Sequence, residues 1–137
     1  MLGLGRVFNV LNVADGVGVN LRDAGAVSFV CQLDAGDTFT VTEAATLAGS
    51  YQNLAVVKEF YQAVKAGTGA WARTAQAAAA TVVTTDTKVA VFTVNAEQLS
   101  DGYSFVKCTS ISTGTVVAVL HDLKIQRTPA NLRAVSA

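Results

Sequence analysis

Charge is scarce in this chain. Asp, Glu, Lys and Arg make up 15% of its 137 residues, against about 25% in ordinary soluble proteins. The ten basic and ten acidic residues cancel, and the Lys and Arg residues form no tract. Direct nucleic-acid binding is therefore not expected, because neutralised phosphates dominate that affinity. Long apolar runs are missing too. None approaches the roughly 18 residues that a membrane helix needs, so no membrane partner is expected. The opening M-L-G-L-G-R-V-F-N-V lacks a charged region followed by a long apolar run, so no secretory signal is read there. There is one His, His121, and two Cys, Cys31 and Cys108. These lack the spacing of metal ligands, so no metal or other cofactor is expected. Both cysteines lie in apolar, strand-like runs, F-V-C-Q-L and F-V-K-C-T. They read as reduced thiols acting as small hydrophobes. A disulfide stays open but needs an oxidising setting.

What is present is strand sequence. At 137 residues the length suits one domain able to bury roughly two thirds of its unfolded surface. The best strand material lies in the last third, from Lys88 to Arg127. There V-A-V-F-T-V, Y-S-F-V-K-C-T-S and T-V-V-A-V-L-H-D-L-K-I-Q-R are separated by turn chemistry. Upstream, R-V-F-N-V-L-N-V (6–13), A-V-S-F-V-C-Q-L (26–33) and T-F-T-V-T-E (38–43) also read as strands. The last has the cleanest period of two: Phe39 and Val41 on one side, Thr38, Thr40 and Thr42 on the other. Residues 26–43 read as a hairpin, and so do 103–126, turning about Ser112-Thr113-Gly114. Leu54 to Ala66 fits helix and strand equally by local pattern. Ala77 to Ala80 has good helix propensity. Asn95 to Leu99 can make one helical turn with Asn95 as its cap. Val116 to Leu120 is apolar on both faces, as in a central or interface strand. After Pro129 a short tail is expected to be free or docked on a neighbour.

The expected fold is all-β: an antiparallel β-sandwich or jelly-roll-like domain with at most one or two short helical turns. Residues 1–25 form an N-terminal arm and first strand, 26–127 the sandwich, and 128–137 a C-terminal tail. A monomer with so few charges exposes much neutral surface, and other subunits can cover it.

Catalytic groupings are thin. His121-Asp122 with Cys108 suggests a Cys/His/Asp set, but neighbours on a strand point to opposite faces, which argues against an orienting hydrogen bond. Asp34 and Asp37 flank Gly36 as ordinary turn residues. The pairs Gly3/Gly5, Gly16/Gly18 and Gly67/Gly69 lack the pattern of a phosphate-cradling loop. Trp71 with Tyr61, Phe60 and Tyr51 is an aromatic group suited to core, interface or ligand platform. No enzyme is expected.

Several stretches together carry a family resemblance: D-T-F-T-V-T-E-A, N-L-A-V-V-K-E-F-Y, G-A-W-A-R-T-A-Q-A-A-A-A-T-V, L-S-D-G-Y-S-F-V-K-C-T and A-V-L-H-D-L-K-I-Q-R-T-P-A-N-L. Over residues 26–132 the chain resembles small virion structural proteins of tailed double-stranded-DNA phages, above all minor capsid or capsid-decoration proteins of actinobacterial siphophages. The resemblance implies a β-rich fold, no cofactor, and strand for 54–62. It implies a protein made in the host cytoplasm and carried on the capsid exterior, partnered by the major capsid protein and by its own copies, with a trimer favoured. Leu4, Val7, Phe8, Val10, Trp71 and Leu132 are the expected interface residues. A tail-tube, head–tail connector or fibre protein is the alternative virion reading. A small ligand- or glycan-binding β-sandwich is the alternative outside the virion.

Overall fold

The computed structural model describes residues 10–13, 16–32, 35–85, 88–125 and 127–137. Period-two sequence becomes strands with alternating burial. β1 (Val10–Val13) and β2 (Val19–Asn20) are short. β3 (Ala24–Gln32) buries Val27, Phe29 and Cys31 and turns Ser28, Val30 and Gln32 the other way. β4 (Asp37–Ala44) buries Phe39 and Val41, with the three threonines opposite. β5 (Gln52–Asn53), β6 (Val57–Val64), β7 (Ala72–Ala79) and β8 (Thr81–Thr84) follow. β9 (Lys88–Asn95) buries Ala90, Phe92 and Val94. β10 (Phe105–Ser110) buries Val106 and Cys108, and β11 (Thr115–Leu123) buries Val116, Ala118 and Leu120.

These strands make an all-β sandwich of two antiparallel sheets. The six-stranded sheet runs β1-β11-β3-β9-β6-β7, so β3 sits between β11 and β9. In the other sheet β10 lies between β2 and β4, and the far edge of β4 is shared by β8 and β5. The inner faces meet in one cluster that includes Phe29, Phe39, Val41, Phe92, Val106 and Val116. Phe29 and Phe92 lie tilted at 5.5 Å between ring centres. Each such buried side chain contributes roughly 1.5–3 kcal/mol.

Nearly every connection crosses between the sheets. Only β4–β5 and β6–β7 join strands paired to each other. Neither expected hairpin therefore forms: β3 and β4 belong to different sheets, and so do β10 and β11. Their corners meet at one end of the sandwich around Asp37, which is buried. Ser110 Oγ donates to Asp37 Oδ2, and the Gly114 N–H donates to Ser110 Oγ at 2.9 Å. Two inter-sheet arches are thus tied through one carboxylate.

Segment 54–66 is strand rather than helix, because β6 has a partner on each side, β9 and β7. Ala77 to Ala79 also lies in a strand, the edge strand β7, where pairing with β6 overrides helix propensity. The helical turn at Ala96–Gln98 is present as a 3-10 turn, and the Asn95 N–H donates to Gln98 Oε1 at 2.8 Å. A second 3-10 turn covers Pro129–Asn131. The tail is neither free nor in need of a neighbour. The Asn20 N–H donates to the Val135 carbonyl at 2.9 Å, and Asn20 Nδ2 donates to the Ala137 carbonyl oxygen at 2.7 Å.

Candidate functional site

The outer face of the six-stranded sheet is the most distinctive surface of the molecule. Alternation that sends Phe29, Phe92 and Val116 inward sends Val30, Val91 and Val117 outward. Register aligns them: Val117 opposes Val30, Val30 opposes Val91, and Val91 opposes Tyr61. Val119 and Val10 pair beside this row, and Val89 pairs with Ala63 on its other side. Val30, Val91 and Val117 are half-buried by their neighbours, while Tyr61 is 44% exposed. The two-sided apolar character of Val116–Leu120 now has a cause. Its even positions line the core, and its odd positions line this face.

A polar row crosses the same face. Thr93 Oγ1 and Ser28 Oγ are 2.7 Å apart, Ser28 Oγ and His121 Nε2 are 2.8 Å apart, and His121 Nδ1 and Asp122 Oδ2 are 2.7 Å apart. A carboxylate only accepts, so His121 Nδ1–H donates to Asp122. With a neutral ring, Nε2 then accepts from Ser28, whose oxygen accepts in turn from Thr93. This corrects the expectation that His121 and Asp122 cannot meet. Asp122 takes φ +53°, which breaks strand alternation and brings its carboxylate to the His121 side. The residue beside it, Gly25, leaves the room: a Cβ there would lie 3.1 Å from Asp122 Cβ. Cys108 takes no part, being buried in the core.

Ser28, His121 and Asp122 thus have the connectivity of a nucleophile, base and orienting acid. Acyl transfer also needs N–H donors aimed at a developing oxyanion, and a cleft. β3 is paired along both edges, so its backbone N–H groups are spent in the ladders. A shallow hollow lined by Tyr61, Val91 and Thr93 does not take in Ser28 or His121. What this row does offer is a set of oriented donors and acceptors inside an apolar field.

The two buried carboxylates have other work. Glu43 is 1% exposed. It accepts from Ser100 Oγ at 2.5 Å, from the Ser100 N–H at 2.9 Å and from Gln52 Nε2 at 2.9 Å. Burial alone raises its pKa, but these hydrogen bonds outweigh it and hold the carboxyl below its ordinary value. Sequence reasoning missed Glu43, although its parity with Phe39 and Val41 points it inward. Asp37 anchors the two arches, and Asp34 lies outside the described residues. Among the described residues no group of three His, Cys, Asp or Glu side chains is placed to hold a metal, and no helix is long and apolar enough to cross a membrane.

The aromatic group disperses. Phe60 enters the core, and Tyr61 points out from the same strand. Tyr51 belongs with the other sheet, where Lys107 Nζ sits 3.9 Å from its ring centre. Trp71 is 54% exposed just before the edge strand β7. Val10 is exposed on β1. Leu132 lines a small cavity against its own chain with Leu120 and Leu123. Leu4, Val7 and Phe8 lie outside the described residues. Comparison with protein-family models, with curated proteins and with solved structures finds no match for this chain.

Proposed function

We propose that this chain is a virion structural protein, a capsid-decoration module that binds the outside of the major capsid lattice of a tailed phage and stabilises the mature head. The observation that carries this reading is the outward row Val117–Val30–Val91–Tyr61, an apolar field across four paired strands, bordered at the β7 edge by the Arg73–Glu59 ion pair. Such a field suits a flat protein surface better than a small solute, and the Thr93–Ser28–His121–Asp122 row supplies register within it. Binding only to the assembled lattice stabilises that lattice by mass action. The partners are the major capsid protein and further copies of the chain, with a trimer favoured. Catalysis is no part of the proposal.

The test is co-sedimentation of the purified protein with expanded, empty heads that lack it, followed by cryo-EM. Saturation at hundreds of copies spread over the shell is expected. Val91→Glu should abolish binding while leaving the folded spectrum intact, since a buried unpaired charge at an interface costs several kcal/mol. A single ring of copies at one vertex or along the tail would sink decoration in favour of a tail-tube or connector role. No head binding together with saturable glycan binding would sink both. Labelling of Ser28 by a fluorophosphonate, lost in His121→Ala, would restore an enzyme reading.

A further inference from the structure

Cys31 and Cys108 face each other across the sandwich. Cys31 comes from β3 in one sheet and Cys108 from β10 in the other, and both are fully buried. Both are free thiols, and their Sγ atoms are 3.7 Å apart. A disulfide needs about 2.05 Å between the sulfurs, so an approach of roughly 1.7 Å closes the bond. That is within the reach of side-chain torsions. Among the described residues these two are the cysteines available for a cross-link between the sheets, and both are free.

We propose that this pair is a redox-dependent lock between the sheets, closed when the chain folds in the presence of a disulfide oxidant and left open when it folds under reducing conditions. With oxidised glutathione as oxidant, one cysteine loses its proton to water and its thiolate attacks a glutathione sulfur. The glutathione S–S bond breaks, one glutathione thiolate leaves, and a mixed disulfide remains. The second cysteine loses its proton and attacks the protein sulfur of that mixed disulfide. The Cys31–Cys108 bond forms and the second glutathione departs as a thiolate, which takes up a proton. Two cysteine S–H groups are oxidised, and one glutathione disulfide is reduced to two thiols.

The folded sandwich blocks the first of these steps. Neither sulfur reaches solvent. Burial, and then the neighbouring Cys108 thiol, push the Cys31 pKa well up, so almost none of it is thiolate at neutral pH. Exchange therefore needs the sheets to part. The same shielding protects a closed bond from reductants. Whichever state the chain folds into is the state it keeps. A protein folded in a reducing compartment and later released into an oxidising medium stays open until it breathes.

The experiment refolds the full chain from denaturant in reduced and in oxidised glutathione, then follows mass, thiol content and stability. The oxidised product should be lighter by two hydrogens, monomeric, and yield one Cys31–Cys108 linked peptide on non-reducing digestion. Its unfolding equilibrium constant should be lower by roughly 10²- to 10³-fold, as a long closed loop requires. The native reduced protein should resist a thiol reagent, and its oxidation should speed up with sub-denaturing denaturant. Cys108→Ala should remove the redox response. The lock is overturned if oxidative refolding leaves both thiols free, caps them with glutathione or cross-links different chains. It is overturned equally if the native protein oxidises as fast as the unfolded one.

Discussion

At the scale of single residues, the most informative group is a carboxylate standing where alternation calls for a core side chain. Glu43 follows Phe39 and Val41 inward and survives there because Ser100 and Gln52 satisfy it. Its pKa in the folded chain lies below its unfolded value. The unfolded state therefore binds more protons in the window between the two, and stability rises with pH across it. The stabilisation is fully present above the unfolded value of about 4.3 and is lost as pH falls through the folded one. Glu43→Gln places an amide where the Ser100 N–H needs an acceptor. It should cost about 1–3 kcal/mol at pH 7 and flatten this part of the acid dependence. Urea titrations from pH 7 down to pH 3 read both effects. An unchanged acid limb in the variant would sink the assignment. His121 teaches the converse. Its partner Asp122 was excluded by strand parity, and parity fails where φ turns positive.

At the scale of elements, strands were legible and their pairing was not. Alternation in Thr38–Glu43 and the density of β-branched residues in Val89–Val94 mark strands whatever their partners. Pairing depends on which face a connection lets a strand join. A short loop ending in a glycine serves a hairpin and an inter-sheet arch alike, so Gly36 and Gly114 misled toward hairpins. Helix propensity in Ala77–Ala79 and the helical spacing of Leu54, Val57, Tyr61 and Val64 were overridden by the partners that β6 and β7 find. The outward valine row needed registers between strands far apart in sequence, which no local window contains. The arch at Gly114 is the element most open to test. A Cβ there would sit 2.5 Å from Asp37 Oδ2 and 2.9 Å from the Phe39 ring. Both neighbours are held, one by Ser110 and one by the core. Gly114→Ala should therefore cost roughly 1–3 kcal/mol, as overpacking does. Thermal unfolding of the variant reads that loss, and an unchanged midpoint would mean that the arch relaxes freely.

At the scale of the whole molecule, the question is which surface meets a partner: the sheet face or the tail. The tail is already engaged. Val135 packs against the core cluster, its carbonyl accepts from the Asn20 N–H, and the Ala137 carbonyl oxygen accepts from Asn20 Nδ2. Arg133 Nε lies 3.3 Å from Asp23 Oδ2, an exposed pair that adds little. Removing residues 132–137 takes away both hydrogen bonds from Asn20, the Arg133–Asp23 pair and the cover that Leu132 and Val135 give to Leu120 and Leu123. Together these are worth roughly 2–4 kcal/mol. The shortened chain should unfold at lower denaturant and exchange the β2 amides faster. Its binding to empty heads, measured well below its unfolding midpoint, should match that of the full chain, because the outer sheet face is untouched. Val91→Glu should show the opposite pattern, with stability nearly kept and binding lost. If truncation abolished binding while Val91→Glu spared it, the docking surface would be the tail, and the valine face would need a different occupant.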